Sequence, residues 1–281
     1  MLWPFRKPGV MSVAAILVGA VSVTCLPRAQ AGVIYSNGFE TDDAGWFTVD
    51  RVASGTGGVT SAAGGFHAQA TDGDYTRWGG YSFSPAGGNL PNVPFQEYYT
   101  SIDIYLDVNG GWTNDTRFDF SSAINRYSNG AHLRDFIFNA GFYNDATGPG
   151  ASTNRFVISA SNNSQPGGAF AKNPGRDPIA IGSSGWYTFE HHFYDNAGVL
   201  AVDLSIYDAN DVLVNRWTLS EPSDVIGSVG GNRYGWFDYS QFTALAIDNS
   251  ELRTVDAPEP GTLALFGTML AGLGLVRRRR A

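Results

Sequence analysis

Cysteine is nearly absent from the 281 residues: the one thiol, Cys25, sits in an apolar leader. From Gly32 onward the chain can therefore form no disulfide, no thiolate metal site and no thiol nucleophile. Lysine is almost as scarce, with only Lys7 and Lys172. Between residues 32 and 257, 11 Lys and Arg face 25 Asp and Glu, a net of −14 that the whole-chain value of −8 conceals. So acidic a stretch excludes nucleic acid and an anionic membrane surface as partners. Glutamate is sparse as well: Glu40, Glu97, Glu190, Glu221 and Glu251 are all that this stretch holds, and none lies in a Glu-x-Asp-x-Glu or Glu-x-Asp-x-x-Glu frame. A glycoside hydrolase needs two carboxylates across a cleft, so that reading is weak. The 35 glycines form no Gly-x-Ser-x-Gly elbow, phosphate loop or dinucleotide fingerprint. The chain is read as non-catalytic.

Long helix-forming runs are missing too, and in their place stand short alternating segments separated by Gly, Asn and Asp. Ser101 to Val108 puts Ile102, Ile104, Leu106 and Val108 on one face and mostly polar residues on the other, the period of a half-buried strand. Trp186 to Leu219 reads as a three-stranded meander, with turns at Asn196-Ala197-Gly198 and Asp208 to Asp211. Further strands are expected at Gly32–Tyr35, Trp46–Val52, Gly65–Ala70, Trp78–Ser84, Arg117–Ile124, Asp135–Asn144, Phe156–Ala160 and Ala244–Thr254. Many short strands at this spacing predict an all-β sandwich, and about 226 residues suffice for one sizeable core. Trp46, Trp186 and Trp217 fall in strand patterns that assign them to that core. The adjacent pair His191-His192 cannot chelate one ion from a strand, because neighbours point to opposite faces; one solvent-facing and one half-buried histidine are expected.

The two ends have a different character. Arg6 and Lys7, an apolar run from Val10 to Leu26 and Ala29-Gln30-Ala31 compose a secretory signal peptide over residues 1–31, cut after Ala31 by signal peptidase. Residues 258–281 contain Pro258, Glu259 and Pro260, an apolar stretch from Gly261 to Val276, and the block Arg277, Arg278, Arg279 and Arg280. As a helix that stretch reaches roughly 24 Å, short for a bilayer core, with the arginines on the cytoplasmic side. These three parts in this order resemble the PEP-CTERM sorting signal of Gram-negative bacteria. The resemblance implies that a membrane protease, exosortase, removes the tail after transient insertion in the inner membrane, releasing the protein to the cell surface or extracellular matrix.

The middle, residues 32–257, resembles concanavalin-like or laminin-G-like jelly-roll domains. Asn37-Gly38-Phe39-Glu40 followed by Trp46, then Gly185-Trp186-Tyr187-Thr188-Phe189, then Leu245-Ala246-Ile247-Asp248-Asn249 carry the likeness. It implies a jelly-roll β-sandwich and, as in related carbohydrate-binding modules, a structural calcium held by Glu40 and Asp248. Aromatic faces that stack on sugars are also available, and Trp112 and Trp236, each set among turn residues, are the best candidates for ligand contact. The expectation is thus an exported, non-catalytic surface or matrix protein with a structural or adhesive role. The alternative is a carbohydrate-binding module for extracellular polysaccharide.

Overall fold

The computed structural model describes residues 32–70, 77–78, 94–162 and 171–255. The signal peptide expected at 1–31 and the tail from 256 onward lie outside them, as does most of the strand expected at Trp78–Ser84. Among the described residues fifteen strands follow one another: β1 (Gly32–Asn37), β2 (Trp46–Phe47), β3 (Val49–Ala53), β4 (Phe66–Ala70), β5 (Arg77–Trp78), β6 (Tyr98–Leu106), β7 (Thr116–Arg126), β8 (His132–Tyr143), β9 (Arg155–Asn162), β10 (Ile179–Ile181), β11 (Gly185–Asn196), β12 (Val199–Asp208), β13 (Leu213–Val225), β14 (Val229–Ser240) and β15 (Leu245–Thr254).

They form two antiparallel sheets. The front sheet runs β13-β12-β11-β6-β15-β4-β3, with β1 continuing β4's edge along the second half of β15; the back sheet runs β10-β9-β8-β7-β14-β5-β2. Neighbours distant in sequence, such as β6 between β11 and β15, make this the expected jelly-roll β-sandwich. The core is chemically uneven. From the front come mainly aliphatics, Ile102, Ile104, Leu106, Val202, Leu204, Ile206 and Ile247; from the back come phenyl rings, Phe118, Phe120, Phe136, Phe138, Phe142 and Phe156. The two layers are joined by edge-to-face contacts, Phe138 on Phe189 at 5.0 Å and 79°, and Phe136 on Phe193 at 5.5 Å and 88°. Each buried ring contributes roughly 1.5–3 kcal/mol by burial, and the ring geometry adds about 0.5–1.5 kcal/mol per pair.

The meander appears as β11, β12 and β13. Ala197 (φ 54°) and Gly198 (φ 91°) give the two consecutive left-handed residues of a tight hairpin. At the next turn the Asp208 carboxylate accepts from the amides of Asn210 and Val212. The single strand expected over Trp46–Val52 is instead two. Thr48 takes φ 61°, so β2 pairs with β5 in the back sheet while β3 pairs with β4 in the front. The chain changes sheets there. β14 was not anticipated: its Gly-Gly-Asn and Tyr-Gly-Trp runs break the alternation, yet it fills the centre of the back sheet.

Arg155, at the head of β9, is fully buried among backbone carbonyls. Its guanidinium donates to the carbonyls of Pro149 (2.6 Å), Thr147 (2.7 Å), Thr153 (2.8 Å) and Asp145 (3.2 Å), and to the Asp145 carboxylate (3.3 Å). One side chain thus satisfies four carbonyls of a single loop. Arg155→Leu is expected to lower the unfolding free energy by about 3 kcal/mol or more, since the loop carbonyls lose their donors. Urea denaturation checks this, and wild-type stability in the variant would contradict it.

Candidate functional site

The alternation that buries Ile102, Ile104 and Leu106 turns Tyr99, Ser101, Asp103 and Tyr105 outward from the front sheet. Cross-strand register extends them into rungs. Arg253, Tyr99, His192, Asp203 and Thr218 lie side by side across β15, β6, β11, β12 and β13; next to them run Glu251, Ser101, Glu190, Ser205 and Arg216. Of these, Arg253, Tyr99, His192, Asp203, Glu190, Ser205 and Arg216, together with Thr188, Tyr207 and Asp211, line a depression of about 610 Å³.

Stacking organises one end of it. The Arg253 guanidinium lies 4.0 Å above the Tyr99 ring, Tyr99 is parallel to His192 at 3.9 Å and 6°, and His192 in turn meets Tyr194 at 4.9 Å. His192 Nε2 sits 2.8 Å from Glu97 Oε1, which fixes the ring plane. Burial, and then the charges of Glu97 and Glu190, push the Tyr99 phenol up, so it stays a neutral hydroxyl. The polar floor is cross-linked: Arg253 pairs with Glu190 (2.6 Å) and Glu251 (3.1 Å). Arg216 donates to Ser205 (3.0 Å) and lies 3.6 Å from Asp203. Asp203 also accepts from Thr218 (2.7 Å). At the far end Tyr105 meets Trp186 edge-on at 5.4 Å, and Trp186 Nε1 donates to the Thr60 carbonyl. Trp186, assigned to the core by its strand pattern, therefore stands half-buried on the outer face; Trp46 and Trp217 are in the core as expected.

The opposite face of the sandwich is closed by contrast. Asn139 on β8 donates to Asp119 and accepts from Ser161 and Arg176, whose segment packs over the back sheet.

The expected site residues fall elsewhere. Glu40 accepts from the amides of Gly65 (3.0 Å) and Phe66 (3.2 Å). Asp248, fully buried, accepts from Ala63 (3.2 Å) and Asn249 (2.8 Å). The structure thus brings the two carboxylates to the two sides of one loop. Gly64 there has φ 60°, and a Cβ on it would collide with the Glu40 carboxylate. Burial pushes the Asp248 carboxyl up to about 6. The donors match calcium in kind, being oxygens, and supply two of the six to eight it asks for. No three acidic or histidine side chains converge among the described residues. Trp112 lines a second, smaller depression of about 250 Å³ with Tyr105 and Phe242. Its indole nitrogen donates to the Asp107 carbonyl and its ring packs edge-on against Phe242. Trp236 is buried on β14. Neither tryptophan reaches the Tyr99 stack. That stack escaped sequence reading because its members come from strands far apart in the chain; the one visible trace was the outward half of each alternating strand.

A family model for the PEP-CTERM protein-sorting motif matches residues 256–280. The chain carries that sorting motif. The PEP-CTERM match includes Pro258, Glu259, Pro260 and Arg277 to Arg280, and it implies an exported protein, held transiently in the membrane and processed by exosortase. No helix among the described residues is long and apolar enough to cross a membrane. No curated protein matches the chain. Among solved structures it is similar to a protein of unknown function from Shewanella oneidensis MR-1, at 12% identity over 90% of this chain and 100% of that one, with a TM-score of 0.36. It is similar also to the CBM2 module of the evolved Dit of Lactobacillus casei BL23 phage J-1, at 12% identity over 82% and 99%, TM-score 0.40. A third is lectin I-B4 from Griffonia simplicifolia in metal-free form, at 9% identity over 78% and 97%, TM-score 0.36. Likeness at this level says nothing of a ligand.

The histidine pair splits between faces as the strand period demands, but more sharply than expected. His192 joins the outer stack, whereas His191 is fully buried between Phe120 and Phe138, its Nε2 3.0 Å from the Phe136 carbonyl. Burial lowers its pKa to about 3. The unfolded chain takes up a proton near pH 6.5 that the folded chain refuses, so this group destabilises the fold as pH falls from 6.5 towards 3, by about 1.4 kcal/mol per pH unit. His191→Phe should flatten that slope between pH 6 and 4. Unfolding free energies measured at several pH values check it; a slope unchanged in the variant would contradict the assignment.

Proposed function

We propose that this PEP-CTERM protein is a non-catalytic, adhesive protein of the Gram-negative cell surface or extracellular matrix that holds polysaccharide on the outer face of its front sheet. The observation that supports the reading is the Tyr99–His192–Tyr194 stack beside a floor of hydroxyl, carboxylate and guanidinium groups. Tyr99 is sandwiched between the Arg253 guanidinium and His192, so the row presents ring edges and the Tyr194 ring as an apolar strip for the C–H surface of a sugar, and the polar floor can exchange hydrogen bonds with sugar hydroxyls. Two of the three acids of the depression are tied into ion pairs, Glu190 with Arg253 and Asp203 with Arg216, which serves recognition better than general acid–base work. Affinity electrophoresis of the purified protein in polysaccharide gels tests this. Retention is expected, and Tyr99→Ala should weaken it by about tenfold or more, the effect of truncating an aromatic anchor. Equal mobility with and without every polysaccharide would sink the reading, and release of reducing ends would replace it with a hydrolase.

A structural calcium at Glu40 and Asp248 is a separate proposal. It is supported by the all-oxygen chemistry of that corner and by a buried carboxylate that a cation would keep ionised. Binding to the folded chain alone would raise the melting temperature in proportion to RT ln(1 + [L]/Kd). The melting temperature is expected to rise with calcium and fall with chelator in wild type, and not in Asp248→Ala. Insensitivity of the wild type would end the proposal.

A further inference from the structure

The two arginines of the front-face depression invite assignment as anion receptors, and their geometry argues against it. Arg253 is held by two carboxylates, Glu190 at 2.6 Å and Glu251 at 3.1 Å, while its guanidinium plane is spent on the Tyr99 ring. Arg216 is shared among Ser205, Tyr207 and Asp203. Each cross-links neighbouring strands and turns donors into the floor; Arg253 does so the more completely, while 46% of the Arg216 side chain stays exposed. The remaining charge is negative. Glu190, Asp203 and Asp211 line the depression against Arg216 and Arg253, and Glu97 and Glu251 stand at its rim. Behind them lies a segment of net charge −14, whose field extends about a Debye length, roughly 8 Å at physiological salt, from the surface.

Resting on the polysaccharide reading above, we infer that the front face selects an uncharged sugar chain and rejects polyuronates. A uronate carboxylate lying on this face would meet acids at the rim and guanidiniums already paired, so binding it would require breaking an existing ion pair while adding like charge. A neutral chain needs neither. Its C–H surface meets the exposed edges of the Tyr99–His192–Tyr194 row, and its hydroxyls exchange with Thr188 and Tyr207, which line the depression and carry no charge.

The test compares retention of the purified full chain by neutral polymers (dextran, mixed-linkage β-glucan, galactomannan) and by polyuronates (alginate, polygalacturonate, hyaluronate) at low and physiological salt. Retention by at least one neutral polymer, insensitive to salt, with none by polyuronates, is the expected result. Stronger retention by a polyuronate, weakened by salt, overturns the inference while leaving the aromatic platform intact. Retention by nothing overturns both. The charge argument has its own variant. Glu190→Gln with Glu251→Gln frees the Arg253 guanidinium, so the ratio of polyuronate to neutral-polymer affinity should rise about three- to fivefold, the span of an exposed ion pair. An unchanged ratio in a variant with a wild-type circular dichroism spectrum contradicts it.

Discussion

The register of β6 between β11 and β15 is the constraint on which both core and site depend. β6 alternates Tyr99, Ser101, Asp103, Tyr105 with Thr100, Ile102, Ile104, Leu106, and its partners lie about 85 and 145 residues further along the chain. The inward set meets the phenyl layer of the back sheet; the outward set becomes the middle of the platform. Because the side-chain period is two, a slip of one residue would bury Asp103 and expose Ile104, so core burial enforces the geometry of the outer face. Site positioning is thereby supplied by the hydrophobic effect acting on the other side of the same strands.

This explains what could be read from the chain and what could not. β6 and β11 alternate cleanly because each has one wet and one dry face. The back-sheet strands expected at Arg117–Ile124, Asp135–Asn144 and Phe156–Ala160 appear as β7, β8 and β9, although the Arg176 segment covers the outer face there and β9 buries both of its faces. β14 disguised itself with glycines, one of which, Gly235, leaves room for the Phe120 ring 2.8 Å from where a Cβ would stand. Thr48 changes the sheet with a single left-handed residue, a signal that composition does not carry. Glu40 and Asp248 were paired by resemblance; in the structure each accepts from backbone amides of the segment that holds Ala63, Gly65 and Phe66. The platform was invisible because no local pattern says which outward residues of β6, β11, β12 and β15 become neighbours.

Charge links the domain to its destination. Basic residues are densest at the ends, in residues 1–31 and in the Arg277 to Arg280 block of the sorting motif, while the middle is acidic. An acidic surface keeps the exported domain from sticking to anionic membrane while it is tethered beside one. The same excess, gathered around the paired arginines of the front face, is the basis of the ligand preference proposed above. The ion pairs Arg253–Glu190 and Arg216–Asp203 thus do two things at once, stiffening the floor across strands and removing positive charge from offer.

The most direct measurement of the central claim is a chemical-shift map, by nuclear magnetic resonance, of the protein titrated with neutral oligosaccharides. The account predicts shifts concentrated on one face, at Tyr99, Ser101, Thr188, His192 and Ser205, with the back sheet quiet. Shifts centred on Trp112 or Trp236, or spread over the loops with the Tyr99 rung silent, would contradict it.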